Sequence, residues 1–92
     1  MIKSFAHKGL EDFFLTGKTK GIQAKHVAKL KLILDLLDAA TRPEHMLFAG
    51  SDLHKLKGDL KNHWAVKVSG NWRLTFRFEG EDAYLVNYLD YH

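Results

Sequence analysis

The first half of the chain carries apolar residues at helical spacing. Leu10, Phe13 and Phe14 lie at positions i, i+3 and i+4, which predicts a short amphipathic helix that ends at Gly17. A second apolar stripe recurs at steps of three and four residues, at Val27, Leu30, Leu34 and Leu37, and Ile33 and Leu36 widen it. This stripe predicts a longer helix that extends from Ala24 to about Ala40.

From Leu53 onward the apolar period changes to two, which is the spacing of β-strands. The apolar positions of two successive runs are Trp64, Val66 and Val68, and then Trp72, Leu74, Phe76 and Phe78. Short turn-like segments at 69–71 and 79–82 predict two hairpins, the second leading into a further strand. A short N-terminal strand is expected around Ile2 and Phe5. Together these elements predict an α+β fold with helices packed on one face of an antiparallel sheet.

Length and composition narrow the class of protein. The 92 residues leave room for a single domain, 1–92, and the 46% of hydrophobic residues argues against disorder. Cysteine is absent, which excludes disulfides, thiolate catalysis and Cys-based zinc sites. No apolar run approaches the roughly 20 residues of a membrane helix, and the N-terminus lacks the apolar stretch of a signal peptide. We therefore expect a soluble, cytoplasmic protein.

The charge is distributed unevenly along the chain. The formal net charge is +3, and no acidic residue lies between Asp12 and Asp35. Five lysines, which we call the lysine window, fall in this stretch: Lys18, Lys20, Lys25, Lys29 and Lys31. Such a pattern is typical of a solvated helix face, and also of a patch that faces phosphates, so the sequence leaves both interpretations open.

Two motifs combine a cation with a polar group of possible function. His54 and Lys57 lie near the start of the strand region, where most such segments are only a polar strand edge. If the fold brings the two side chains together, however, the histidine can transfer a proton and the lysine can bind a phosphate. Arg73 follows Asn71 closely and alternates with apolar strand residues, so we expect it on the exposed sheet face, bound to a surface acid or to a phosphate.

The end of the sequence is unusual in its chemistry. A histidine at a chain end often belongs only to a poorly ordered terminus. In Asp90-Tyr91-His92, however, an acid, a phenol and an imidazole follow an apolar strand directly. An acid beside a histidine can orient it and raise its pKa, as general acid–base catalysis requires. The sequence has no short histidine spacing of the zinc-site type and no glycine-rich nucleotide loop, so we expect no metal and no cofactor.

Three segments together resemble a known family. They are Leu53-His54-Lys55-Leu56-Lys57-Gly58-Asp59, Asn71-Trp72-Arg73-Leu74-Thr75-Phe76 and the terminal Asp90-Tyr91-His92. With this combination, and with the order of strand, two helices and antiparallel sheet, the whole chain resembles the HigB-type toxins of the RelE superfamily. The resemblance implies a RelE-like microbial RNase fold and a toxin of a bacterial type II toxin–antitoxin pair.

The activity that the resemblance implies is ribosome-dependent cleavage of mRNA in the ribosomal A site, without a metal. The ribose 2′-hydroxyl is then the nucleophile, which requires a base, cations near the phosphate and an acid for the leaving oxygen. The implied partners are a cognate HigA-type antitoxin with a helix-turn-helix fold, the 70S ribosome and mRNA. Operator DNA would be contacted only through the antitoxin complex, and no membrane is implied.

Roles for the residues that move protons also follow from the resemblance. His92 is the main candidate for proton transfer, and Asp90 would orient it. His54 is the second candidate, and which histidine is the base and which the acid stays open. Tyr91 would position a nucleobase or stack on it.

The remaining roles concern the phosphate and the RNA. Lys57 and Arg73 would stabilise the phosphate, Asn71 would hold the RNA or the hairpin, and the lysine window would face ribosomal RNA.

Two alternative functions remain open. One is a ParE-like gyrase poison, which shares the fold but lacks this set of polar sheet residues. The other is a basic RNA-binding module without catalysis.

Overall fold

A computed structural model describes residues 1–58 and 62–91 of the chain. The helices in these residues are α1, Lys8–Thr16, and α2, Val27–Ala39; Ala24–His26 and Pro43–Met46 form 3₁₀ turns. The strands are β1, His54–Lys55; β2, His63–Ser69; β3, Trp72–Glu79; and β4, Asp82–Asp90. This is the α+β class and the order of elements that the apolar periodicity predicted.

A capping interaction stabilises each end of helix α1. Nδ1 of His7 accepts a 3.0 Å hydrogen bond from the backbone N–H of Leu10, which caps the first turn. Gly17 adopts the left-handed region with φ of 80°, and its N–H bonds to the carbonyl oxygen of Phe13. Leu10 and Phe13 are buried, so the predicted amphipathic helix and its glycine stop are confirmed.

Helix α2 begins later than the apolar stripe predicted. Ala24–His26 form a 3₁₀ turn, and the regular helix starts at Val27 instead of Ala24. The imidazole of His26 turns inward and bonds to the hydroxyl of Tyr88, so a buried contact outweighs local helix propensity at this point. At the other end the structure agrees with the prediction, because Ala40 is already extended, with ψ of 141°.

The sheet follows chain order, β1-β2-β3-β4, and each pair of neighbouring strands is antiparallel. The predicted N-terminal strand takes the form of two isolated parallel bridges, from Ile2 to Ala83 and from Phe5 to Val86. The first residues of the chain therefore run along the outer edge of β4 without forming a continuous strand.

A bulge in β4 resets the alternation of that strand. Leu85 has φ of 54° and lies where the β3–β4 register shifts, and its N–H donates a 2.9 Å hydrogen bond to Oγ of Ser4. Beyond the bulge, Val86 and Tyr88 belong to the buried core. Asn87, which lies between them, faces the opposite side of the sheet.

The helices pack on one face of the sheet. The core joins Leu10, Leu30, Ile33, Leu34 and Leu37 of the helices to Val66, Val68, Leu74, Phe76, Val86 and Tyr88 of the strands. Alternate strand residues face the other side, which we call the open face. In the part of the chain that the structure describes, no helix is both long and apolar enough to cross a membrane.

Candidate active site

The open face carries polar side chains from all four strands in matched rows. Lys67 of β2 lies opposite Arg73 of β3. The neighbouring row runs from His54 on β1 through Thr75 on β3 to Asn87 on β4. Residues that lie opposite each other across antiparallel strands share a side of the sheet, so these side chains occupy one surface roughly 14 Å wide at about 4.8 Å per strand.

A depression of about 390 Å³ lies in this surface. Its lining includes Leu56, His63, Thr75, Leu85, Asn87, Leu89 and Tyr91. Leucine side chains supply apolar walls, a hydroxyl and an amide supply hydrogen-bonding groups, and the tyrosine adds an aromatic ring. This mixture suits a nucleobase, which stacks through its face and hydrogen-bonds through its edge.

Arg73 lies at the hairpin end of the open face, as the strand alternation predicted. Its Nη1 donates hydrogen bonds to the carbonyl oxygens of Gly70, at 2.7 Å, and Trp72, at 3.1 Å. Nη1 therefore holds the guanidinium over the β2–β3 turn. The donors on Nη2 and Nε are the ones that an anionic ligand would take.

The end of β4 meets the turn that precedes β3. The backbone N–H of Tyr91 donates a 2.8 Å hydrogen bond to the carbonyl oxygen of Asn71. Asp90, which is exposed, is the register partner of Trp72. The backbones of Asn71, Asp90 and Tyr91 are therefore brought together at one corner of the sheet, beside Arg73. The side chain of Asp90, as the register partner of the core-side Trp72, lies at the edge of the helix side of the sheet.

His92 lies outside the described residues, as do residues 59–61. The expected proton transfer by His92, and its orientation by Asp90, therefore stay predictions.

His54 and Lys57 lie on the β1 side of the open face, and both are exposed. Nδ1 of His54 is 3.0 Å from the carbonyl oxygen of Asp52. Because a carbonyl oxygen can only accept, Nδ1 carries the hydrogen, and Nε2 of the neutral ring keeps its lone pair. Lys57 lines a second depression, of about 580 Å³, and Leu56 lines both depressions, so the two are neighbours.

The lysine window is not part of this surface. Its residues lie in the α1–α2 connection and on α2, and all of them are exposed. The helices cover the opposite side of the sheet, so the structure does not bring these lysines to His54 or Arg73. Nζ of Lys31 lies 3.2 Å from Oδ2 of Asp35, an exposed ion pair that partly neutralises this lysine.

Three open-face residues were missed as functional candidates. Lys67 and Thr75 alternate with apolar residues in the sequence, so strand parity was a usable signal for both. Asn87 had no such signal, because the bulge at Leu85 shifts the alternation before it.

The chemical groups of the site suit acid–base and electrostatic catalysis. The described residues offer imidazole, carboxylate, phenol, guanidinium and ammonium groups on or beside the open face. These are the groups that move protons and stabilise negative charge. Within residues 1–58 and 62–91, no group of three His, Asp or Glu side chains is placed to hold a metal ion.

A solved structure shares the fold. A crystal structure of a YafQ mutant from E. coli aligns with a TM-score of 0.65 over 98% of this chain and 93% of that chain. The sequence identity is 19%, so this likeness concerns the fold alone.

Sequence comparison gives the family. A family model described as the RelE-like toxin HigB of type II toxin–antitoxin systems matches residues 3–92. Endoribonuclease HigB of Proteus vulgaris is 45% identical over 92 residues, which is all of this chain and all of that protein. The chain therefore belongs to the HigB family of RelE-like toxins of type II toxin–antitoxin systems.

Proposed function

We propose that this toxin is a ribosome-dependent endoribonuclease that cleaves mRNA in the ribosomal A site and so inhibits translation. Family membership and the name of the Proteus vulgaris relative support cleavage of RNA. The observation that carries the proposal is the open face, where Arg73 and Lys67 share one surface with His54. Cations beside a proton-transfer group are what RNA cleavage through the 2′-hydroxyl needs.

In the proposed reaction the ribose 2′-oxygen attacks the adjacent phosphorus and the P–O5′ bond breaks. The products are a 2′,3′-cyclic phosphate and a 5′-hydroxyl end. The proton of the 2′-hydroxyl passes to a base, and O5′ takes a proton from an acid. His54 and His92 form the proton-transfer pair in this proposal, and Asp90 orients His92.

The hydrogen bond at His54 supports a role in proton transfer. With the Asp52 carbonyl holding Nδ1–H, the neutral ring offers Nε2 as the proton acceptor. Once protonated at Nε2, the same ring becomes an acid without changing its orientation. His54 therefore fits either role, and the order of base and acid between the two histidines is left open.

The cations act on the charge that develops at the phosphate. Arg73, fixed through Nη1, offers Nη2 and Nε to two non-bridging oxygens. Lys57 adds a mobile charge from the β1 side, and Lys67 adds one from beside Arg73. Such prearranged cations stabilise the transition state more than the bound substrate, so their loss lowers the cleavage rate.

The requirement for a ribosome fits the shape of the surface. The depression in the open face is open to solvent, so a second body that positions a flexible mRNA on it would favour cleavage. In the proposal the ribosomal A site does this, Tyr91 stacks on a base, Asn71 contacts the RNA, and the lysine window faces ribosomal RNA. The toxin acts in the cytoplasm, where a cognate HigA-type antitoxin restrains it, and operator DNA is contacted only through that complex.

The test is to map 5′ ends of a defined mRNA after incubation with the purified protein, with and without translating ribosomes. A ribosome-free sample also receives EDTA. We expect cuts at in-frame A-site positions only in the presence of ribosomes. His92→Ala and His54→Ala should each lower the rate by about 100-fold or more. His45→Ala, which removes an exposed histidine bonded to Thr41, is the matched control and should cut normally.

Other outcomes identify the alternatives. No cut in any sample, together with a DNA-damage response on expression, would favour a gyrase poison. Ribosome binding that persists in His92→Ala without any cleavage by the wild type would favour a non-catalytic RNA-binding module. In that case Lys→Glu changes in the lysine window should abolish the effect on translation.

A further inference from the structure

A buried polar pair links the start of α2 to β4. His26 and Tyr88 are 2% and 3% exposed, and Nδ1 of His26 lies 2.6 Å from the hydroxyl of Tyr88. The two residues are 62 positions apart in the sequence. The proposed cleavage reaction uses neither of them directly, because both lie on the core side of the sheet.

The pair is part of a compact aromatic unit. The rings of Trp72 and Tyr88 stack with centroids 4.5 Å apart and planes 25° apart. The imidazole of His26 meets both rings edge-on, at 5.6 Å from Trp72 and 5.9 Å from Tyr88. The three rings therefore fix one another in position, as edge-to-face and stacked aromatic contacts do.

This unit lies directly behind one corner of the candidate active site. Trp72 stands between Asn71 and Arg73 in the sequence and is the register partner of Asp90. Successive residues of a strand face opposite sides, so a ring held on the core side fixes the direction of its neighbours on the open face.

The pair also leaves one polar atom of His26 without a partner. Nδ1 of His26 and the hydroxyl of Tyr88 share one hydrogen bond, whose direction depends on the imidazole tautomer. Nε2 of His26 is buried and has no hydrogen-bond partner among the described residues. Burial, with smaller contributions from Lys25 and Lys29, lowers the pKa of His26 and keeps the ring neutral at physiological pH.

A buried nitrogen without a hydrogen-bond partner lowers the stability of the folded state, and an apolar side chain at position 26 would avoid this loss. We propose that His26 is a positioning residue for cleavage: through Tyr88 and the Tyr88–Trp72 stack it sets the direction of Arg73 and of the Asp90–Tyr91 segment. This inference rests on the proposed function, because it assigns His26 to the same reaction. It adds a residue that touches neither the RNA nor the reacting atoms.

The test separates positioning from stability by comparing two variants. Tyr88→Phe removes one hydroxyl and leaves the buried imidazole without its partner, so it should lower both stability and cleavage. The double variant His26→Phe/Tyr88→Phe replaces both polar partners by apolar rings, which is nearly neutral for folding. We expect the double variant to regain stability in urea unfolding without regaining the cleavage rate.

Cleavage is measured in single turnovers on programmed ribosomes over a range of ribosome concentrations. In both variants the maximal rate should fall on the order of tenfold to a hundredfold, while the half-saturating concentration stays unchanged, because the cations are misdirected but still present. Ile33→Val, a conservative change of a buried α2 residue, is the matched control and should keep the wild-type rate.

A second measurement does not depend on cleavage. Amide chemical shifts of Arg73, Asp90 and Tyr91 should move in both variants and stay in place in Ile33→Val. If the double variant regained stability and rate together, or if these shifts did not move, His26 would be purely structural and the proposal would be overturned. If the wild-type protein did not cut at all, the proposed function would fail, and the chemical shifts alone would decide whether His26 positions these residues.

Discussion

The backbone N–H of Tyr91 bonds to the carbonyl oxygen of Asn71 at 2.8 Å, so the end of β4 is tied to the β2–β3 turn. The tie uses the main chain at both residues, which leaves the phenol of Tyr91 and the amide of Asn71 available to a ligand. Position 91 is thereby held beside Arg73 although it follows the last residue of β4.

This tie predicts the behaviour of Asn71→Ala. The variant keeps the carbonyl oxygen that binds Tyr91, and position 71 is not in the left-handed region that disfavours alanine. We therefore expect the free energy of unfolding to change by less than about 0.5 kcal/mol, as for most surface substitutions. Cleavage on programmed ribosomes should still fall if the amide contacts RNA. A large loss of stability in urea unfolding would mean that the side chain serves the hairpin.

Arg73→Lys should impair cleavage although it keeps the charge. A lysine has no planar fork, so it cannot bind two carbonyl oxygens through one end and a phosphate through the other. We expect the single-turnover rate to fall by about 10²-fold, similar to the loss of one oxyanion donor. Arg42→Lys, at an exposed position near His45, is the matched control and should cut at the wild-type rate.

Lys67→Ala tests the residue that lies opposite Arg73. Loss of one cation beside the phosphate should lower the maximal cleavage rate by roughly tenfold, which corresponds to about 1.4 kcal/mol of transition-state stabilisation. Lys31→Ala removes an equal charge from an ion pair on α2 and should leave that rate unchanged. Equal effects of the two substitutions would mean that only the net charge matters.

The lysine window should act on ribosome binding, and not on the chemical step. In Lys18→Glu/Lys20→Glu we expect the half-saturating ribosome concentration to rise and to depend more weakly on salt, with the maximal rate retained. The measurement is the single-turnover rate against ribosome concentration at two ionic strengths. A loss of maximal rate would instead place these lysines close to the reacting phosphate.

The stability of the protein should decrease as the pH falls below about 6.5, because burial lowers the pKa of His26 below this ordinary value for histidine. The unfolded chain takes up a proton at His26 as the pH falls through 6.5, while the folded chain stays unprotonated there until its lower pKa is reached. The contribution of His26 to the free energy of unfolding is therefore complete above about pH 6.5 and is lost progressively below it.

Urea unfolding at about pH 7.5 and about pH 5 measures this loss. The His26→Phe/Tyr88→Phe variant removes the titrating group, so its free energy of unfolding should change less between the two conditions than that of the wild type. An identical change in both proteins would show that other groups account for the pH dependence.

Local periodicity was enough to predict most elements of the fold. Apolar spacing located α1 and α2, and the period of two located the long strands and placed Arg73 on the open face. In each case the information lies within a few neighbouring residues, since the side-chain direction follows from the backbone repeat.

The remaining features depend on contacts between distant parts of the chain. The late start of α2 follows from the bond of His26 to Tyr88, and the direction of Asn87 follows from a left-handed backbone at Leu85. The position of Tyr91 follows from its bond to Asn71. None of these is encoded by a local repeat, so sequence periodicity could not supply them.

The N-terminal segment has one more consequence, for the behaviour of the protein at high concentration. Its hydrogen bonds to Ala83 and Val86 occupy the outer edge of β4, where another strand would otherwise pair. At the opposite edge β1 is only two residues long, and the exposed Lys55 and Lys57 place charge there. The protein on its own therefore offers little template for strand-to-strand aggregation, and we expect it to stay dispersed at high concentration.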